Sequence, residues 1–176
     1  MRALRPSISS QDREAQIRLK VKITFGNDFW TTTVLDHGWW HQLESLLSNV
    51  KPHLRVSWLR TISGGWTTSI RMHDDVSLQC IFGCQFEDDC MMHYLICPIL
   101  WQLVIQFLDG EDSILLSQRL CLQSPSIKKL QRLALACRIY HACKNDCVCI
   151  KSNVVASPHT VQSRGAEFAR AVVSFF

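Results

Sequence analysis

Four residues between positions 80 and 97 carry the clearest chemistry in this chain: Cys80, Cys84, His93 and Cys97, spaced C-x3-C-x8-H-x3-C. Thiolate and imidazole are donors that zinc favours. Four of them in one short stretch make a closed tetrahedral site of the structural kind, with no position left open for a substrate. The first pair lies in Cys80-Ile81-Phe82-Gly83-Cys84, a knuckle in which Gly83 supplies backbone freedom for a tight turn. The second pair, His93 and Cys97, is four apart, so on a helix both side chains leave the same face. Between the pairs run Glu87, Asp88 and Asp89, suited to a helix N-terminus. The bland alternative is buried free cysteines falling near a histidine by chance. With nine cysteines one accidental C-x3-C is easily reached, the full four-ligand pattern much less so. Cys90 is a spare thiol able to replace a ligand. The expected cofactor is Zn2+.

The composition sets bounds on what surrounds this site. A chain of 176 residues normally makes one domain, or one with a small appendage, and can bury a real core. At 47% hydrophobic and 19% charged it is globular in composition, and its net charge of +4 permits nucleic-acid contact without the dense Lys/Arg clusters of strongly basic binders. The odd, clustered cysteines and the absence of an apolar leader in Met1-Arg2-Ala3-Leu4-Arg5-Pro6 point to an intracellular, reducing compartment, nucleus or cytoplasm. The nearly uncharged stretch Met91–Leu108 is read as an amphipathic helix and not a membrane span, because Pro98, Gln102 and Gln106 interrupt it.

The predicted elements divide the chain into three regions. Region 1–50 holds a polar tail to residue 14, a β-hairpin and a first helix. In the hairpin Ile17, Leu19, Val21, Ile23 and Phe25 alternate with polar residues, Gly26-Asn27-Asp28 turns, and Phe29–Leu35 returns. The helix is expected over His37–Val50. Region 51–110 is the zinc-binding region, with a helix over His53–Ile62 that Pro52 opens and Gly64-Gly65 stops, a short turn of helix near Thr67–His73, and a helix from about Asp89 to Leu108 that Pro98 kinks or divides and Gly110 closes. Region 111–176 is a C-terminal helical segment expected to form one unit with 51–110. It comprises Ile114–Leu122, a helix capped by Ser124-Pro125 and running to about Asn145, and a last helix opened by Ser157-Pro158 with Val161, Phe168, Val172 and Phe175 as its apolar stripe. The fold class predicted is mainly α: a small helical zinc-stapled domain with an N-terminal β-hairpin (α+β).

The stretch from Trp58 to Trp101 resembles the zinc-binding region that follows the polymerase domain in reverse transcriptases of non-LTR retrotransposons. In order, the matching residues are Trp58, Leu59, Arg60, Gly64, Gly65, Thr67, Thr68, Arg71, Cys80, Cys84, Asp89, His93, Cys97, Pro98 and Trp101. The family more often has C-x2-C where this chain has C-x3-C. The resemblance implies a nucleic-acid-associated accessory module of a mobile element. The polymerase itself is absent from this sequence: its carboxylates have one mimic, Asp74-Asp75, which lacks the preceding aromatic and reads as a solvated loop.

Other constellations are weaker. Cys137, His141, Cys143, Cys147 and Cys149 can be a second metal site, but Leu130, Leu133, Ala134, Cys137 and Tyr140 already make an ordinary apolar stripe. A Cys-His nucleophilic pair there has no orienting carboxylate. Arg55, Arg60 and Arg71 are the candidate nucleic-acid contacts, with Trp58 and Trp66 near enough to stack on bases; the competing reading puts both tryptophans in the core. Lys128, Lys129 and Arg132 read as a solvated helix face. The function expected is non-catalytic, mostly sequence-independent binding of RNA or DNA. The alternatives are a zinc-stapled domain that docks a protein partner and an inert remnant of an element.

Overall fold

No strand forms where alternation predicted the N-terminal hairpin: Ser10–Phe25 is helix α1 and Asp28–Thr32 is helix α2. The computed structural model describes residues 9–33, 35, 37–74, 78–109, 115–149 and 154–176. Within the expected polar tail, residues 1–8 lie outside that set, and Ser9 onward belongs to α1. The Ser9 hydroxyl accepts from the Asp12 N–H while the Asp12 carboxylate receives the Ser9 N–H, a capping box that satisfies two otherwise orphaned donors. Ile17 and Val21, one turn apart, are buried, whereas Leu19 is 57% and Ile23 75% exposed. The period-two pattern therefore coexisted with a helical one. A lone hairpin is marginal in water, and here the helical pairing wins.

The remaining helices follow the predicted order. They are α3 (Trp39–Asn49), α4 (Pro52–Ile62), α5 (Ser69–Met72), α6 (Met91–Ile96), α7 (Pro98–Phe107), α8 (Leu116–Arg119), α9 (Ile127–Cys147) and α10 (Pro158–Val172), closed by a 3-10 turn over Val173–Phe175. Among the described residues the one ladder is short and C-terminal: β1 (Val148–Cys149) runs antiparallel to β2 (Val154–Val155), with Val148 opposite Val155 and Cys149 opposite Val154. Helix α9 opens at Ser126 rather than at Ser124. Ser126 has the extended backbone an N-cap needs and accepts from the Lys129 N–H, while Ser124 sits at φ 48. Gly110 and Ile114, expected to close one helix and open another, lie outside the described residues. Ser157 and Pro158 open α10 as predicted, with the Ser157 hydroxyl accepting from the Thr160 N–H. Of the predicted apolar stripe of α10, Val161 is buried with Gly165 and Ala169, Phe168 and Val172 are half-buried against the core, and Phe175 is exposed. A Cβ on Gly165 would stand 3.2 Å from Ile139 and 3.3 Å from Leu103, so the small residue sets how closely α10 approaches α9 and α7.

Helix α9 is the centre of the molecule. It packs against α4, α7, α8 and α10, and buries Leu130, Leu133, Ala134, Leu135, Ala136, Ile139 and Tyr140. A helix covered on most sides is a core element, not an amphipathic surface one. One continuous apolar cluster extends from Ile17 and Val21 through Trp58, Trp66 and Leu100 to Val161 and Ala169. No helix among the described residues is long and apolar enough to cross a membrane.

The helical assignment of residues 10–25 has a direct test. We expect Ile17→Ala to destabilise by about 2–5 kcal/mol, as large-to-small core changes do, and Ile23→Ala to fall within about 0.5 kcal/mol of the parent. Denaturant melts in which both substitutions cost the same would contradict the helix.

Candidate metal centre

The first two ligands sit on a narrow loop closed by the main chain. Cys80 N–H donates to Glu87 O (2.7 Å), Asp89 N–H donates to Leu78 O (2.8 Å), and Gln79 pairs antiparallel with Asp88. Gly83 takes φ 92 at the turn, and a Cβ there would stand 2.6 Å from Pro158 Cβ. Both the backbone angle and the seat of α10 on the knuckle therefore require glycine at this position. Gln162 of α10 holds the same loop by donating to Phe82 O (2.9 Å).

The other two ligands come from α6 and its end. Pro98 has no N–H, so Tyr94 O loses the partner a continuous helix would supply. The Trp101 indole N–H donates to Tyr94 O instead (3.1 Å), and buried Arg119 donates to Leu95 O (2.8 Å). Pro98 thus divides the helix in two, and Cys97 becomes both the end of α6 and the N-cap of α7, its Sγ accepting from Leu100 N–H at 3.5 Å. Cys90 is the N-cap of α6, with its Sγ 3.4 Å from His93 N, and is not among the gathered donors.

The donor atoms of Cys80, Cys84, His93 and Cys97 all lie within 4.8 Å of one another, so the four can hold one metal ion. Cys84 Sγ and Cys97 Sγ are 3.6 Å apart. His93 is oriented for such a role. Its Nδ1 is 3.4 Å from the Glu87 carboxylate, while its Nε2 is buried with no hydrogen-bond partner. A carboxylate on the far nitrogen of a ligating histidine fixes the ring and raises its basicity. The gathered donors shift one another's protonation. Hydrogen bonding from Cys97 pulls the Cys80 thiol down to about 4, against the cost of burial. Burial and the Cys80 charge push Cys84 up, and the shared hydrogen bond with Cys80, together with burial, pushes Cys97 up. A bound dication would remove this conflict by stabilising all the thiolates together.

Behind the cluster lies a polar network with no local signature in the sequence. Asp89 is fully buried. Its Oδ2 accepts from Ser69 N–H (2.6 Å) and pairs with the Lys144 ammonium, and its Oδ1 accepts from the Tyr94 hydroxyl (2.8 Å). Tyr140 Oη stands 3.0 Å from Asp89 Oδ1 and 3.2 Å from Thr67 O, sharing its one hydrogen between them. The Tyr94 hydroxyl in turn accepts from the Ile81 N–H (3.1 Å), inside the knuckle. Burial, with the Asp89 charge second, pushes both tyrosine hydroxyls well above their usual range, so they stay protonated donors.

The other candidate residues are not assembled into a site in this way. His141 donates from Nδ1 to Cys137 O (2.6 Å) and accepts at Nε2 from Thr67 N–H (3.5 Å), leaving no nitrogen for a metal. Cys143 is buried against Val161 O and Cys147 is half-buried; the Cys149 side chain is outside the described set, and no second metal-holding group exists among the described residues. Arg55, Arg60 and Arg71 are all exposed. Arg55 reaches Ser48 O (3.5 Å), whereas the Arg60 guanidinium lies near Cys137. Five residues apart on α4, the two point about 140° from each other. Trp58 and Trp66 are 1% and 0% exposed and donate to Leu120 O and Thr61 Oγ1, so neither is open to stack on a base. Lys129 and Arg132 are not a free solvated face, since both donate to main-chain carbonyls, of Gln123, Ser124 and Asp109. Asp74 is half-buried with Oδ2 unpartnered, and Asp75 lies outside the described residues.

The network should be essential in one direction only. Asp89→Asn leaves the Lys144 ammonium buried without its counter-charge, and we expect a loss of about 3–5 kcal/mol. Adding Lys144→Met should recover a large part of that loss in denaturant melts. Equal stability of the single and double variants would contradict the pairing.

Comparison of the chain with protein-family models, with curated proteins and with solved structures finds no match in any of the three.

Proposed function

We propose that this chain is a non-catalytic, zinc-stapled helical module that binds RNA or DNA weakly through phosphate contacts, akin to the reverse-transcriptase appendage that residues 58–101 resemble. The observation that carries the metal reading is the His93 ring, held by Glu87 at one nitrogen while the other is buried, unpartnered and beside three thiols. The donor set selects the ion. Three sulfurs and an imidazole suit zinc and not the oxygen-seeking magnesium or calcium. Two thiolates ~2.3 Å from a tetrahedral ion stand about 3.8 Å apart, close to the 3.6 Å between Cys84 and Cys97. Four protein donors leave no open position, so the role of the metal is structural.

For nucleic acid, the support is the resemblance, the net charge of +4, and the exposure of Arg55, Arg60 and Arg71. With Trp58 and Trp66 in the core, base stacking has no platform there, and the contacts left are to phosphate and carry no sequence preference. A second reading, a protein-docking domain, is favoured by a groove of about 720 Å³ between α1, α3 and α4 with Ile17, Leu47 and Leu59 among its lining.

Two measurements test the proposal. Elemental analysis of protein purified under reducing conditions should find one zinc per chain. Cys84→Ser or Cys97→Ser should abolish both the metal and cooperative folding, because structural zinc contributes about 10–16 kcal/mol in apparent terms, more than a small domain's net stability. Protein that folds without metal overturns this part. Binding to single strands should weaken with salt at a log–log slope of about −2, and to duplex nearer −3, for three phosphate contacts. Substituting all three arginines should abolish binding at unchanged zinc content. No association at low salt leaves the docking reading in its place.

A further inference from the structure

A group of basic side chains lies where α4 begins. Lys51, His53 and Arg138 line a cavity of about 510 Å³ together with Val172, Ser174 and Phe175, and no carboxylate side chain is part of the lining. Each is held in place by something neutral. Lys51 Nζ donates to Phe175 O (2.8 Å), the Arg138 guanidinium lies over the Phe176 ring at 5.4 Å, and His53 meets the same ring edge-on at 5.6 Å. The nearby Phe176 oxygen is taken by Gln131 (2.6 Å). Neither Lys51 nor Arg138 pairs with a carboxylate among the described residues. His53 Nε2 is buried without a hydrogen-bond partner, and burial, then the charges of Arg138 and Lys51, depress the ring's pKa.

Two cations beside a buried, unpartnered nitrogen, with no carboxylate in the lining, make a local field that favours an anion. We propose that Lys51, His53 and Arg138 form a binding site for a phosphate group. Arg138 offers a planar fork that matches two phosphate oxygens, Lys51 offers a point charge, and His53 offers a buried N–H once the anion is present. Lys51 is the N-cap of α4 and His53 lies in its first turn, so the helix's positive end is near both side chains. The cavity accepts a phosphate with room for what is attached to it. The site shares no residue with Arg55, Arg60 and Arg71 and does not rest on their role.

The same chemistry serves a free phosphate or monoester and the backbone of a nucleic acid, and two arms of one experiment separate them. Inorganic phosphate is titrated into the zinc-loaded full chain while the His53 ring protons are followed by NMR, with chloride of equal ionic strength as control. A short single-stranded oligonucleotide lacking terminal phosphates is titrated in the second arm. We expect saturable shifts of the His53 signals and a rise in its pKa. A response to inorganic phosphate assigns the site to free phosphate or monoesters; a response to the oligonucleotide alone assigns it to a phosphodiester backbone. Lys51→Gln with Arg138→Gln should weaken the response at least tenfold at unchanged zinc content. Arg55, Arg60 and Arg71 substitutions should leave the phosphate arm intact, which separates failure here from failure of the arginine contacts. His53 signals that move no more than in the chloride control in either arm overturn the proposal, and that readout uses the parent chain, so it stands even where a variant fails to fold.

Discussion

A carboxylate cannot be removed from water without replacing what water gave it, and Asp89 is removed completely. Its replacements come from separate parts of the chain: a main-chain N–H at the start of α5, a phenol from α6, and a phenol and an ammonium from α9. All must be in place together for the charge to be tolerated. Buried ion pairs of this kind add little over a well-packed apolar alternative, but half of one is strongly unfavourable. In this protein Asp89 joins α5, α6 and α9 at one point behind the loop that carries the first two cysteines.

The metal ligands and this network are two layers of one construction. Tyr94 belongs to both. It lies next to His93 in the chain, its carbonyl is capped by Trp101, and its hydroxyl ties the Ile81 N–H of the knuckle to Asp89. The outer side of the knuckle is covered by α10, through Pro158 against Gly83 and Gln162 on Phe82 O. The 51–110 stretch is packed against elements outside it. Glu87 and Trp101 support the cluster from within the stretch, while Arg119, Tyr140, Lys144, Pro158 and Gln162 reach its loop, its helix and the buried Asp89 from beyond residue 118.

What the sequence made legible follows from how local each signal is. The gathering of Cys80, Cys84, His93 and Cys97 could be read because their spacing is itself the signal, and the break at Cys97–Pro98 because proline's missing N–H acts on its own turn. The helix at residues 10–25 was misread although its signals were present: Ser9 and Asp12 at capping-box spacing, and Ile17 and Val21 one turn apart, beneath a louder alternation. Asp89 was taken for a helix-terminal acid because nothing nearby shows that it is buried. Its ammonium partner is 55 residues away in the chain. Trp58 and Trp66 posed the same difficulty, since a tryptophan beside arginines reads alike in a core and on a binding face until packing decides. At Ser124-Pro125-Ser126 two serines competed for one cap, and backbone conformation chose the second.

The division of one long helix into α6 and α7 has an electrostatic consequence. A dication bound by three thiolates and a neutral imidazole keeps one net negative charge, which burial would penalise. By ending α6 at Cys97 the chain brings the N-terminus of a fresh ten-residue helix to the sulfur itself, with Leu100 N–H pointing at Sγ. Were a dication bound there, the half-charge of the α7 macrodipole would offset the residual charge of the metal–thiolate group. A proline that looks like an interruption thus aims a partial charge made of backbone at the sulfur.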